Sequence, residues 1–120
     1  MIRSVGVVEY GGSTHIGRVV LGAMSADKTI RAAMNVKYRS SIIDAIEDSE
    51  ILTVSSFDRK NEPLETSTME WGTKQAIEDS GFVPDLIYDR GATGKEAMIR
   101  ILGRDPDDVL VKLGKLLGVL

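Results

Sequence analysis

The sequence contains no cysteine. Disulfide frameworks, thiolate nucleophiles and cysteine zinc sites are thereby excluded, and any metal is expected to be held by oxygens. A single histidine, His15, leaves no His-His metal pair and no second imidazole for a relay within one chain. Only three prolines are present, Pro63, Pro84 and Pro106, and they mark local boundaries rather than a linker. No apolar run approaches the roughly 20 residues that cross a bilayer, and Met1-Ile2-Arg3-Ser4 is not followed by a signal-peptide core, so no membrane association and a cytoplasmic location are expected. Charge of one sign is also lacking. Fifteen Lys and Arg against 18 Asp and Glu give a net charge of −3, which offers no electrostatic reason to bind along a phosphate backbone, so nucleic acid is not expected as a partner of this chain alone.

What is present is enough for one core: 120 residues, 42% of them apolar, with no internal repeat or low-complexity stretch, read as a single domain over 1–120. Ile2 to Tyr10 is rich in valine and reads as a buried strand ended by Gly11-Gly12. Ser13 caps a following helix in which Ile16, Val19, Val20, Ala23 and Met24 recur at helical spacing. Ile30 to Tyr38 reads as a strand, Ser40 or Ser41 caps a helix carrying Ile42, Ile43, Ala45 and Ile46, and Ile51 to Phe57 is again a strand. The polar stretch Asp58 to Pro63 is a loop. Thr68 to Ser80 is helical, with Trp71, Ala76 and Ile77 inward and Gly81 as its stop. Asp85 to Asp89 is a short buried strand, Arg90 to Gly94 a turn, and Lys95 to Leu102 a helix closed by Gly103. Asp105-Pro106-Asp107-Asp108 starts a last helix whose apolar face is Val109, Leu110, Leu113, Leu116 and Leu117. Alternating strands and helices favour an α/β layer fold.

Four polar features carry candidate chemistry. His15 and Arg18 lie near a helix start after two glycines, where free N–H groups favour an anion, although a hydrogen-bonded structural histidine fits the same pattern. Asp58, Arg59 and Glu62 directly follow a strand; they suit a phosphate or a Mg²⁺ ion, and equally a solvated turn. Asp85, Asp89 and Arg90 lead into Gly91-Ala92-Thr93-Gly94-Lys95-Glu96, at a strand-to-helix transition of the kind where open α/β sheets place ligands. This turn is not a P-loop, because only two residues separate Gly91 from Gly94 and Glu96 stands where Ser or Thr would be needed. It serves as well for an anion site as for a helix cap. Lys37 and Arg39 flank Tyr38, and strand alternation puts the two charges on one face, for a phosphate or for solvent.

Taken in order, several segments resemble the ThiN domain found at the C-terminus of archaeal bifunctional thiamine-biosynthesis proteins and in some transcription regulators. The resemblance runs through Gly12-Ser13-Thr14-His15-Ile16-Gly17-Arg18-Val19, Ile30 to Tyr38, Ser55-Ser56-Phe57-Asp58-Arg59 with Glu62-Pro63, Met69-Glu70-Trp71-Gly72, Pro84 to Asp89, and Gly91 with Gly94 to Pro106. Ordered agreement over several loops is far more specific than any one of them.

That resemblance implies a three-layer α/β/α domain with a mixed central sheet, and a thiamine-phosphate synthase (transferase) activity. In that reaction the diphosphate of a hydroxymethylpyrimidine leaves and the thiazole nitrogen takes the methylene carbon. Stabilising the leaving group requires cations or Mg²⁺, and a dry pocket must hold the two rings in line. His15 corresponds to a histidine associated with activity. Arg18, Lys37, Arg59, Gly91, Gly94 and Lys95 are expected around phosphate, and Asp58 or Asp89 at Mg²⁺. The family's usual N-terminal portion, with a functionally important arginine, is expected to be missing, and Lys37 stands where the family commonly has arginine, keeping charge without the bidentate fork. A shortened domain is expected to form a homo-oligomer that covers the exposed edge. The alternatives to a synthase are a non-catalytic module that senses thiamine precursors and an assembly protein that has lost its pocket.

Overall fold

A computed structural model of the chain describes residues 14–61, 68–94 and 96–120. Within them the order is α1 (Thr14–Met24), β1 (Ala32–Lys37), α2 (Ser40–Ser49), β2 (Val54–Ser56), a 3-10 turn (Arg59–Asn61), α3 (Thr68–Ser80), β3 (Leu86–Asp89), β4 (Met98–Gly103) and α4 (Pro106–Gly118). The described strands form one sheet in the order β1-β4-β3-β2. β4 runs antiparallel to both β1 and β3, whereas β2 and β3 are parallel, so the sheet is mixed. β1, β2 and β3 therefore all end at the same edge, and β4 begins there.

Strand alternation divides the side chains between two faces. Met34, Val36, Leu86, Tyr88, Ile99 and Ile101 pack with Ile42, Ile43 and Ile46 of α2 and with Val109 and Leu116 of α4. Ala33, Ile87 and Leu102 face the other way, onto Val19 and Ala23 of α1 and Met69, Ala76 and Ile77 of α3. The result is the three-layer α/β/α arrangement, with an apolar core on each side of the sheet. Among the described residues no helix is long and apolar enough to cross a membrane.

Local signals account for several boundaries. Asp105 caps α4 by accepting a 2.7 Å hydrogen bond from the Asp108 N–H, and Pro106 fills the first helical position, where its missing donor costs nothing. α3 stops before Gly81, whose φ of +79° closes the helix end. Other expectations are corrected. Arg39, not Ser40 or Ser41, occupies the N-cap of α2, and its side chain makes no capping bond; Ser40 is already helical. Leu110 is half exposed, because only Val109 and Leu116 of α4 are fully turned onto the sheet. The strand expected over Ile51 to Phe57 is confined to Val54–Ser56. The opening strand over Ile2 to Tyr10 and the Ser13 cap lie outside the described residues.

The largest correction concerns Lys95 to Leu102. No helix begins at Gly94; Met98–Gly103 is β4, paired on both sides and buried along most of its length. A strand covered on both faces reads as a continuous apolar run rather than an alternation, and over six residues such a run fits a helix face equally well. Gly94 is therefore not followed by a helix N-terminus whose free N–H groups could hold an anion. Gly94, with φ +73°, instead lies in the connection of an antiparallel β3–β4 pair.

Candidate functional site

The ends of the parallel strands β2 and β3 are tied together by the Phe57 N–H, which donates to the Tyr88 carbonyl at 3.2 Å. The two chains then diverge, and a cleft of about 770 Å³ opens between them. Phe57, Asp58, Arg59 and Lys60 line it from the exit of β2, and Tyr88, Arg90 and Gly91 from the exit of β3. Trp71, Gln75 and Asp79 of α3 close the third side at four-residue spacing, which puts them on one helix face. Crevices at the carboxyl ends of parallel strands are where α/β sheets commonly bind ligands.

Under this cleft lies a buried charge cluster. Asp89 is fully buried, and its Oδ2 is 2.8 Å from Nη1 of Arg100, itself only 2% exposed. The other carboxylate oxygen accepts the Gly91 N–H at 2.8 Å and stands 3.7 Å from Nη1 of Arg59. Gly91 reaches that position with φ +74°, a conformation that side-chain-bearing residues rarely adopt. Arg59 also donates from Nη1 to the Glu96 carbonyl at 3.4 Å. Arg100 is held further by a 3.2 Å contact from Nη2 to the Met69 sulfur and by stacking 5.3 Å above the Phe57 ring. Nε of Arg59, Nε and Nη1 of Arg100, and Oδ2 of Asp89 make no aligned hydrogen bond. The 2.8 Å Asp89–Arg100 contact is thus a close ion pair set off the donor axis. Burial pulls the Arg100 guanidinium below its ordinary value, and the Asp89 carboxylate acts against that shift.

The rim is built differently. Arg90 is exposed, its guanidinium carbon 5.7 Å from the centre of the Tyr88 ring and its Nε donating to the Tyr38 hydroxyl at 3.4 Å. That hydrogen bond raises the Arg90 guanidinium further above its ordinary value. Trp71 meets Phe57 edge to face, with centroids 6.0 Å apart. Asp58 turns one carboxylate oxygen back to accept the Lys60 N–H at 2.8 Å. Gln75 donates to Asp79 at 3.1 Å. The cleft thus has a cationic side, Arg59, Lys60 and Arg90, and a helical side bearing an aromatic ring, an amide and a carboxylate.

Of the residues singled out in the sequence, Asp58, Arg59, Arg90 and Gly91 line the cleft, and Asp89 lies beneath it. Lys37 ends β1 at the same sheet edge, opposite Met98, which in turn pairs with Asp89, but it is not among the cleft's lining residues. Arg18 on α1 and Gly94 are exposed and also stand outside the lining. His15 lies in the first turn of α1; its side chain, like the whole of Lys95, is outside the described residues. Sequence reasoning missed Lys60, Trp71, Gln75, Asp79, Tyr88 and Arg100 as site residues. Arg100 did leave a signal, a lone charge within the apolar run Met98 to Leu102, since a buried charge without a partner is too costly to keep.

The two carboxylates expected at Mg²⁺, Asp58 and Asp89, differ in their surroundings. Asp89 does not fit: it is fully buried and faces two guanidinium groups and a peptide N–H. Asp58 is exposed at the cleft and fits as one carboxylate beside ligand oxygens. Among the described residues no three His, Cys, Asp or Glu side chains gather as a metal site.

Comparison with known proteins decides the family. The model of thiamine-phosphate synthase ThiN matches residues 1–115. The chain belongs to the ThiN family. It is 53% identical over 109 residues to the bifunctional thiamine biosynthesis protein ThiDN of Methanocaldococcus jannaschii, a match covering 91% of this chain and 26% of that protein. Against the thiamine-phosphate synthase ThiN of Methanothermobacter thermautotrophicus the identity is 42% over 106 residues, covering 84% of this chain and 55% of the relative. The chain thus spans about half or less of the length of these relatives. Two crystal structures of ThiN-like domains superpose closely. The C-terminal domain of protein MJ0236 has a TM-score of 0.85 at 50% identity, covering 92% of this chain and 60% of that one. The C-terminal domain of a phosphomethylpyrimidine kinase has a TM-score of 0.83 at 38% identity, covering 95% and 66%.

Proposed function

We propose that this ThiN-family domain binds the phosphorylated pyrimidine and thiazole precursors of thiamine in the cleft between β2, β3 and α3, and joins them with release of diphosphate. The observation that carries this reading is the cationic wall of the cleft, in which Arg59 is held against a buried carboxylate while Lys60 and Arg90 stand at the rim. In the reaction the bond from the pyrimidine methylene carbon to oxygen breaks, its electron pair leaves on diphosphate, and the thiazole nitrogen lone pair forms the new carbon–nitrogen bond. Arg59, Lys60 and Arg90 neutralise the charge that develops on the leaving group, and Trp71 supplies a ring face on the opposite wall. Holding both rings in one cleft removes the entropy of their encounter from the barrier. Mg²⁺ bound to the diphosphate oxygens, with Asp58 as a protein carboxylate, would supply further charge neutralisation. His15, Arg18, Lys37, Gly94 and Lys95 belong to this reading as residues serving the reacting groups and the second phosphate.

The purified chain, given both precursors and Mg²⁺, is expected to form thiamine phosphate, measured directly by chromatography, and to bind each precursor by calorimetry. Binding without product supports a non-catalytic, precursor-sensing module instead. No affinity for either precursor or for thiamine phosphate overturns both readings.

A further inference from the structure

Two guanidinium groups and one carboxylate form the floor of the cleft, which leaves one positive charge in excess beneath it. The other carboxylates of the cleft are exposed and engaged elsewhere, Asp58 with the Lys60 N–H and Asp79 with Gln75. Among the described residues, Nε of Arg59 and Nε and Nη1 of Arg100 are buried without an aligned partner, which leaves donors in the cluster for a further acceptor. Two charges and a peptide N–H converge on Asp89 from three separate segments: Arg59 after β2, Gly91 after β3 and Arg100 in β4. A carboxylate placed this way fixes the direction of Arg59, the one charged side chain of the cluster that also lines the cleft.

We propose that Asp89 and Arg100 are positioning residues: Arg100 anchors Asp89, Asp89 aims Arg59, and the anionic group of the ligand completes the charge cluster. This rests on the reading that the cleft takes a phosphorylated ligand, and it gives Asp89 a task other than holding metal. Arg100 is suited to its part because Phe57, Met69 and the sheet leave it no alternative partner of opposite charge among the described residues. Simple charge attraction and positioning make opposite forecasts for Asp89→Asn. Removing the carboxylate makes the floor more cationic and would tighten an anion, whereas loss of aim weakens it.

The test uses inorganic diphosphate as the probe, titrated calorimetrically into the intact chain, Asp89→Asn, Arg59→Lys and the double variant. Each single change is expected to weaken diphosphate by about tenfold to a hundredfold, the range for losing a charge-assisted contact. Because Asp89 acts through Arg59, the double variant is expected to bind no more weakly than the poorer single one. A purely structural Asp89 would instead give losses that add. Additive losses, or an Asp89→Asn variant that binds as tightly as the parent or tighter, overturn the proposal. Should circular dichroism show Asp89→Asn unfolded, Arg100→Lys replaces it: the charge is kept but the guanidinium that lies against Asp89 is lost, and unchanged diphosphate affinity overturns the proposal equally. If the parent chain binds diphosphate with this pattern yet binds no thiamine precursor, the substrate reading fails and the positioning role stands. If the parent chain binds no diphosphate, the positioning role fails whatever the precursors do.

Discussion

Replacing Gly72 by alanine tests how tightly the cleft wall is packed. In an open helix the change stabilises by about 1 kcal/mol, because alanine loses less backbone freedom on folding. At Gly72 a Cβ would collide with Cε2 and Cζ of Phe57 and lie 2.6 Å from its Cδ2, well inside contact distance. The ring has little room to retreat: it is 6% exposed, lies beneath the Arg100 guanidinium and meets Trp71 edge to face. Overpacking of this kind costs up to about 3 kcal/mol, so subtracting the propensity gain leaves a net loss of about 2 kcal/mol. At about 4 °C per kcal/mol for a domain of this size, Gly72→Ala should melt about 8 °C lower than the parent. Gly114 on α4 is the control, since a Cβ there meets nothing within 4 Å. Gly114→Ala should melt about 4 °C higher. The assay is a circular dichroism melt of the three proteins at one concentration. A Gly72→Ala protein that melts at or above the parent, with Gly114→Ala melting higher as expected, would refute the packing described for Phe57.

Two further outcomes are expected. Asp85 is partly buried, which alone would raise its carboxyl, but the Thr53 N–H at 2.9 Å and Lys112 at 2.9 Å outweigh burial and hold it below the ordinary carboxylate range. A lowered folded-state value contributes stability that is fully present above the unfolded value near 3.9 and is lost as pH falls through the folded value. The melting difference between the parent and Asp85→Asn should accordingly hold from pH 7 to about pH 5 and shrink below about pH 4; a constant difference down to pH 3 would contradict this. Trp71 is the one tryptophan of the chain and lines the cleft, so titration with thiamine phosphate should saturably change its fluorescence. An affinity seen by calorimetry with no change in emission would place the ligand elsewhere.

Reading the chain residue by residue located the elements whose signals are local. The Asp105-Pro106 start of α4, the helix ending before Gly81 and the strand opening after Pro84 all follow from backbone preferences within a few residues. The ordered segments also pointed to the family, because loops such as Phe57-Asp58-Arg59 and Met69-Glu70-Trp71-Gly72 keep their chemistry in their residue types. They pointed to Asp58, Arg59, Arg90 and Gly91 at the cleft as well, since charge beside a strand end and a glycine after it are visible without a third dimension.

Met98 to Gly103 was illegible for a definite reason. Its alternation is erased by burial on both faces, and only pairing with β1 and β3 makes it a strand. Pairing also decided what Asp89 and Arg100 are for. Eleven positions apart in the chain, they become an ion pair because the β3–β4 register sets Ile87 opposite Arg100 and Asp89 opposite Met98. The parallel pairing of β2 with β3 likewise brings Arg59 onto Asp89 from thirty positions away. Which residues are polar, where turns fall and which family the chain resembles were determined by the sequence alone, because each depends on local chemistry. Which carboxylate is buried, which arginine it aims and where the cleft opens were decided by the tertiary structure, because each depends on strand order and register, and those are set by burying two apolar faces at once.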